Sequence, residues 1–135
     1  MTLYDSSVLI DYLDGIPTVV EYVEAHADDR AVAPPLVLFE VYQGEVFKTG
    51  SPDLDAVDDA LGWLDIVEET GASARAAAEL QVSLAETGEP LAARDAYIAG
   101  AAKAHDEPLA VTDADFDVEG LTANLDIDFV DHASD

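Results

Sequence analysis

Four carboxylates in this acid-rich chain stand apart because of what surrounds them. Asp5, in "MTLYDSSVLID", directly follows a short apolar run and precedes a helical pattern. Asp113, in "LAVTDADFD", follows a second apolar run in the same way. Glu40 lies inside the apolar stretch "PLVLFEVYQG", and Asp95 opens the small-residue segment "RDAYIAGAAKAH". Carboxylates brought together repel one another, and burial adds to the cost unless protons or cations compensate. A hard divalent ion meets that need, because Mg²⁺ and Mn²⁺ take oxygen ligands from carboxylates, waters and substrate phosphates. Such an ion lowers the pKa of water and stabilises the entering and leaving oxygens of a phosphodiester. If the fold gathers these acids, the chemistry they imply is phosphodiester hydrolysis.

Each acid also has a plainer use. Asp5 and Ser7 suit the N-terminus of a helix, where side-chain oxygens accept from free backbone N–H groups. Asp95 in a first helical turn is favoured by the helix dipole. Glu40 can extend from a partly exposed helix to water, and "TDADFD" can be a solvated acidic turn. Taken singly, none decides the function.

The elements that must position these residues alternate along the chain. "MTLY" reads as a buried strand and "SSVLIDYLDG" as a helix ended by Gly15. "PTVVEYVEAHADD" has Pro in its first turn and sets Val19, Val20, Tyr22 and Val23 near one face. A short apolar piece, "AVAP", follows. "PLVLFEVYQGEVFKTG" is long enough for a helix, with Leu36, Phe39, Val46 and Phe47 as its apolar positions, although Gly44 weakens it. "DLDAVDDALGWL" repeats Leu54, Val57, Leu61 and Leu64 at helical intervals before a strand, "DIVEE". "SARAAAELQVSLAETG", stopped by Gly88, and "RDAYIAGAAKAH" are two further helices. Strands "LAVT" and "DFV" close the chain around an acidic loop. Strands separated by helices indicate an α/β domain with a mainly parallel sheet, because parallel neighbours need crossovers. The 135 residues suit one domain, 1–135, with no repeat or linker to divide it. In such sheets ligands bind beyond the carboxyl ends of the strands, where the strand order reverses, and both Asp5 and Asp113 lie at strand ends.

Composition narrows the partners. Thirty acids stand against five bases, Arg30, Lys48, Arg75, Arg94 and Lys103, giving a formal net charge of -25. At low salt such a surface repels itself, and a halophilic host accounts for it, since near 1 M salt the Debye length is only about 3 Å. The charge also excludes ordinary nucleic-acid binding through a basic face, so a bound cation must carry any such role. With no cysteine, thiolate metal sites and disulfides are excluded. His26, His105 and His132 lack metal-ligand spacing, and Ser6 and Ser7 lack a glycine elbow. Trp63 suits a core or interface better than a base-stacking platform. No apolar run approaches a membrane span and no signal core is present, so a cytoplasmic, soluble protein without membrane contact is expected.

In order and setting, the acids resemble those of the PIN-domain ribonucleases, and among them the VapC-type toxins of toxin–antitoxin pairs. "YDSSVLID" resembles the family's strand–Asp–hydroxyl–helix opening, "LFEVYQG" its glutamate helix, and "RDAYIAGAAKAHDEPLAVTDADF" its closing helix–strand–acid segment. The resemblance implies a three-layer α/β/α fold with a parallel sheet in the order 3-2-1-4-5. It implies an endoribonuclease that uses Mg²⁺ or Mn²⁺, an antitoxin that blocks the site, and a homodimer. Carried over by position, Asp5, Glu40 and Asp95 match the family's most constant acids, and Asp113 the acid after the last long strand. Asp115 is an accessory or alternative metal ligand beside Asp5, Asp95 and Asp113, and Asp117 a weaker one. Ser7 matches a hydroxyl that orders the metal's water shell. Arg94 is the one base placed to help at the RNA.

Two other readings belong to different classes. One is a catalytically silent acidic α/β binding module whose acids serve only for solvation in brine. The other is a response-regulator-like phosphoreceiver, disfavoured because Lys103 lies within a helix and precedes "LAVT".

Overall fold

The computed structural model describes residues 1–48, 50–68 and 70–131. Five short strands, β1 (Thr2–Tyr4), β2 (Ala31–Ala33), β3 (Leu64–Ile66), β4 (Leu109–Val111) and β5 (Ile127–Phe129), form one sheet. Its order is β3-β2-β1-β4-β5 and every neighbouring pair is parallel. Leu3 lies between Val32 and Leu109, so β1 is the central strand. Its residues and those of β2 and β4 are buried throughout, the near-continuous apolar pattern of a sheet covered on both faces. "AVAP" supplies β2; of "DIVEE", Asp65 and Ile66 lie in β3, which begins one residue earlier at Leu64, and Glu69 lies outside the described residues.

Helices α1 (Ser6–Leu13), α2 (Pro17–Ala25), α3 (Pro35–Val46) and α4 (Leu54–Ala60) connect β1 to β2 and β2 to β3. Helices α5 (Gly71–Glu86) and α6 (Ala93–Ala104) carry the chain back across the sheet to β4, and α7 (Glu119–Thr122) precedes β5. The first two crossovers step one way along the sheet and the third steps the other way. Right-handed crossovers therefore put the two helix groups on opposite faces, giving three layers. The first four helices pack among themselves, and α5 packs on α6 and α7.

The α5–α6 contact depends on small residues. A methyl group built at Gly100 of α6 would lie 2.5 Å from Ala77 Cα and 2.6 Å from its Cβ and backbone nitrogen. Glycine lets the two backbones meet at a distance that no Cβ tolerates. Its buried face, Ala96, Ile98, Ala99, Ala101 and Ala102, fills the rest of the contact.

Two apolar assignments differ from the sequence expectation. In α3 the buried pair is Val37 and Val41, one turn apart, whereas Phe39 and Val46 are exposed and Phe47 is 79 % exposed. Phe39, Val46 and Phe47 thus mark the outer face of this helix, while Leu36 and Tyr42 pack against the core. Leu64 continues the spacing of Val57 and Leu61 on paper, but it belongs to β3 because α4 ends at Ala60. Trp63 packs edge-on against Tyr4 and Tyr12, with ring centroids 5.7 and 5.2 Å away, and its Nε1 donates to the Ala60 carbonyl at 2.9 Å. Burial, then the charges of Asp29 and Asp128, push the Tyr4 phenol up to about 12.

The bases are tied up locally. Arg30 pairs with Asp65, Lys48 with Glu45 and Arg75 with Glu79, and Lys103 Nζ donates to the Asn124 carbonyl. Exposed pairs of this kind add little stability. Most of the negative surface is therefore uncompensated, and stability should rise with salt: we expect the Tm to climb by at least about 10 °C between about 0.1 and 2 M KCl. A flat melting temperature across that series would remove self-repulsion as a limit. Among the described residues, no helix is long and apolar enough to cross a membrane.

Candidate metal centre

The centre begins with the turn from β1 into α1. Asp5 is the N-cap of α1: its Oδ2 accepts from the Ser7 backbone N–H at 3.2 Å and from Ser7 Oγ at 2.6 Å. The capping expectation is met by Asp5, not by the serines. Ser7 Oγ has a second task, accepting from the Thr112 N–H at 3.1 Å, which ties the end of β1 to the end of β4. Asp5 is wholly buried. An ionised carboxylate at such a position needs hydrogen bonds and a counter-charge.

Arg94 supplies that charge. From the first turn of α6 its Nη2 donates to Asp5 Oδ1 at 3.0 Å, to Ser6 Oγ at 2.5 Å and to Glu40 Oε1 at 2.8 Å. Its Nε donates to Glu40 Oε2 and its Nη1 to Asp95 Oδ1. The guanidinium thus joins β1, α3 and α6 through three carboxylates, a use for which its planar fork of donors is suited. Burial alone would lower its pKa, but hydrogen bonding to Glu40 and the charges of Asp5 and Glu40 outweigh this and raise it. The guanidinium is turned inward onto these acids.

On the other side of Asp95 lie Asp113 and Asp115. Asp113 follows β4 and caps a 3₁₀ turn, Ala114–Phe116, by accepting from the Asp115 N–H at 2.9 Å. Phe116 is fully buried and anchors this turn. One carboxylate oxygen from each of Asp95, Asp113 and Asp115 lies within 4.8 Å of the other two. The Asp95 carboxyl is pushed up, first by burial and then by the charges of Asp5 and Asp113, against the opposing pull of Arg94. Three hard oxygens so close, one on a group whose charge is disfavoured, fit an octahedral divalent cation that keeps waters for its other positions.

The structure therefore divides the sequence-selected residues into two connected groups. Asp5, Glu40 and Asp95 meet at Arg94; Asp95, Asp113 and Asp115 meet one another. Asp117 is exposed at the end of the 3₁₀ turn and stands outside both. His26 stacks on Tyr22 in the α2 region, His105 caps the far end of α6, and His132 lies outside the described residues. Ser6 as an Arg94 partner and Thr112 as a Ser7 donor were not singled out for these contacts. Adjacent residues on a helix normally diverge, so the shared orientation of Arg94 and Asp95 has no simple periodic signature.

A family model for the PIN domain matches residues 2–119. The chain belongs to the PIN domain family. Solved structures share this fold. A chain of VapBC2 from Rickettsia felis, bound to a promoter DNA fragment, is 18% identical with a TM-score of 0.78, over 96% of this chain and 98% of that one. A chain of DNA-bound VapBC from Salmonella typhimurium is 17% identical with a TM-score of 0.79, over 95% and 96%. A chain of FitAcB from Neisseria gonorrhoeae is 20% identical with a TM-score of 0.78, over 94% and 96%. Among curated protein sequences none matches significantly. The three-layer PIN fold, with its parallel sheet in the order 3-2-1-4-5, agrees with the architecture expected from the sequence. Two of its three inner strands, β1 and β4, carry Asp5 and Asp113 to one end of the sheet.

Proposed function

We propose that this PIN domain is a divalent-metal-dependent endoribonuclease that hydrolyses RNA phosphodiester bonds as the toxin of a toxin–antitoxin pair. The observation that carries the reading is the mutual reach of Asp95, Asp113 and Asp115 beside the Arg94-held acids Asp5 and Glu40. Mg²⁺ or Mn²⁺ bound at those three aspartates would polarise a phosphoryl oxygen and make water a competent nucleophile near neutral pH. The chain's own contribution is placement. Ser7 and Arg94 hold Asp5, the buried face of α6 holds Asp95, and Phe116 holds the turn bearing Asp113 and Asp115.

With a net charge of -25, attraction for the phosphate backbone must be local to the bound cation. RNA cleavage in about 2 M KCl should need added Mn²⁺ or Mg²⁺ and stop with EDTA. Cleavage that persists in EDTA would overturn the reading, and no cleavage with either ion would favour a silent binding module. A cytoplasmic site of action and a single domain, 1–135, go with this proposal.

The antitoxin is assigned to the outer face of α3. Phe39, Val46 and Phe47 are exposed there, on and at the end of the helix that also carries Glu40. Large exposed apolar side chains clustered on one helix mark such surfaces. Phe39→Ser should weaken antitoxin capture by at least about tenfold, as loss of an aromatic anchor does, with RNA cleavage by the free toxin retained. Unchanged capture would move the interface elsewhere. Homodimerisation is proposed as well, and sedimentation in high salt measures it directly.

A further inference from the structure

Both oxygens of Glu40 are taken by Arg94, and Asp5 has one oxygen on Arg94 and the other on Ser7. Every carboxylate oxygen of these two acids thus has a partner within the chain. Asp113 and Asp115 differ: among the described residues no lysine or arginine pairs with either. Asp95 stands between the two groups and gives one oxygen to Arg94 Nη1.

We infer that Arg94 is an internal counter-cation that stands in for a second divalent ion, so that the chain binds one such ion, at Asp95, Asp113 and Asp115. The inference rests on the metal-dependent reading above and concerns how many ions that site takes. Two-ion centres need carboxylates that bridge ions about 3.5–4 Å apart. Here the inner end of the crevice already holds a fixed positive charge, 3.0 Å from Asp5 Oδ1 and 2.8 Å from Glu40 Oε1. A second dication beside it would meet direct repulsion and would have to take ligands that the guanidinium holds. A fixed guanidinium also cannot be lost by dilution or chelation. Arg94 acts here as a positioning residue: it orients Asp5, Glu40 and Asp95 and excludes an ion.

The test is Mn²⁺ binding, read by equilibrium dialysis with electron paramagnetic resonance, in about 2 M KCl. The wild-type chain should bind one ion. Arg94→Met should bind two, because Asp5 and Glu40 are released as ligands. Glu40→Gln, made with Arg94 intact, should still bind one ion, at reduced affinity because the guanidinium charge beside Asp95 is less compensated. Two ions in the wild type, or one ion bound to Arg94→Met with unchanged affinity, would overturn the inference and leave the metal-dependent reading standing. If Arg94→Met does not fold, the wild-type stoichiometry decides: one ion per chain supports the inference and two overturn it. No ion bound by either protein would overturn the metal reading and this inference together.

Discussion

Replacing Asp95 by asparagine should lower divalent-ion-dependent RNA cleavage about 100- to 1,000-fold while leaving the metal-free protein as stable as before. The first half follows from position, because Asp95 is shared between the Arg94 cluster and the Asp113–Asp115 pair. A catalytic ion supplies several kcal/mol of transition-state stabilisation, and about 1.4 kcal/mol is tenfold in rate. The second half follows from charge. Burial, reinforced by Asp5 and Asp113, raises the Asp95 pKa despite Arg94, so its ionised form is disfavoured in the folded chain. A folded-state pKa above the unfolded value means that the folded chain binds this proton more tightly. The stability due to this group is then present at low pH and is lost as pH rises through the folded pKa. At neutral pH the Asp95 charge subtracts from stability, and asparagine removes that cost while keeping an acceptor for Arg94. In EDTA the melting temperatures of the two proteins should agree within about 3 °C at neutral pH. On acidification through the carboxylate range the wild type should gain relative to the variant. Retention of more than about a tenth of the wild-type cleavage would remove Asp95 from the metal centre.

Gly100→Ala should be the more damaging change to the fold. The added methyl would sit 2.5 Å from Ala77 Cα, which α5 cannot yield without moving as a helix. Overpacking of this kind costs about 2–3 kcal/mol, or about 10 °C in a domain of this size. Because α6 also carries Arg94 and Asp95, displacing it opens the centre, so Mn²⁺ affinity and stability should fall together. Gly44→Ala is the contrasting control. A methyl there meets only the Ile10 side chain, at 3.8 Å, inside the helical α3, where alanine is the better helix former by about 0.5–1 kcal/mol. Equal tolerance of the two alanines would show that the α5–α6 contact is not close.

The acids and their chain order were legible because each stands at a break in an apolar pattern. Asp5 and Asp113 end buried strands, and the parallel crossover rule carries both to one end of the sheet. The inner face of α3 was not legible in the same way. Of the apolar residues that the spacing selects, Phe39, Val46 and Phe47 are exposed and Leu36 is only partly buried, while the fully buried pair is Val37 and Val41. Hydrophobic size and burial part company wherever a helix has a second apolar use, and sequence pattern alone does not separate the two faces. Arg94 was visible as a base beside an acid, but its inward turn depends on Asp5 and Glu40, which are 89 and 54 residues away. No local signal carries that information.

The hydrogen bond from Thr112 to Ser7 joins residues 105 positions apart. During synthesis β1, α1 and α3 leave the ribosome long before Arg94, Asp113 and Thr112 do. Until then Asp5 has neither its counter-charge nor its neighbouring strand, and the crevice has only one wall. A chain that ends before Asp113 consequently lacks two of the three aspartates of the cluster, and the wall that carries them is in place only once β4 pairs with β1.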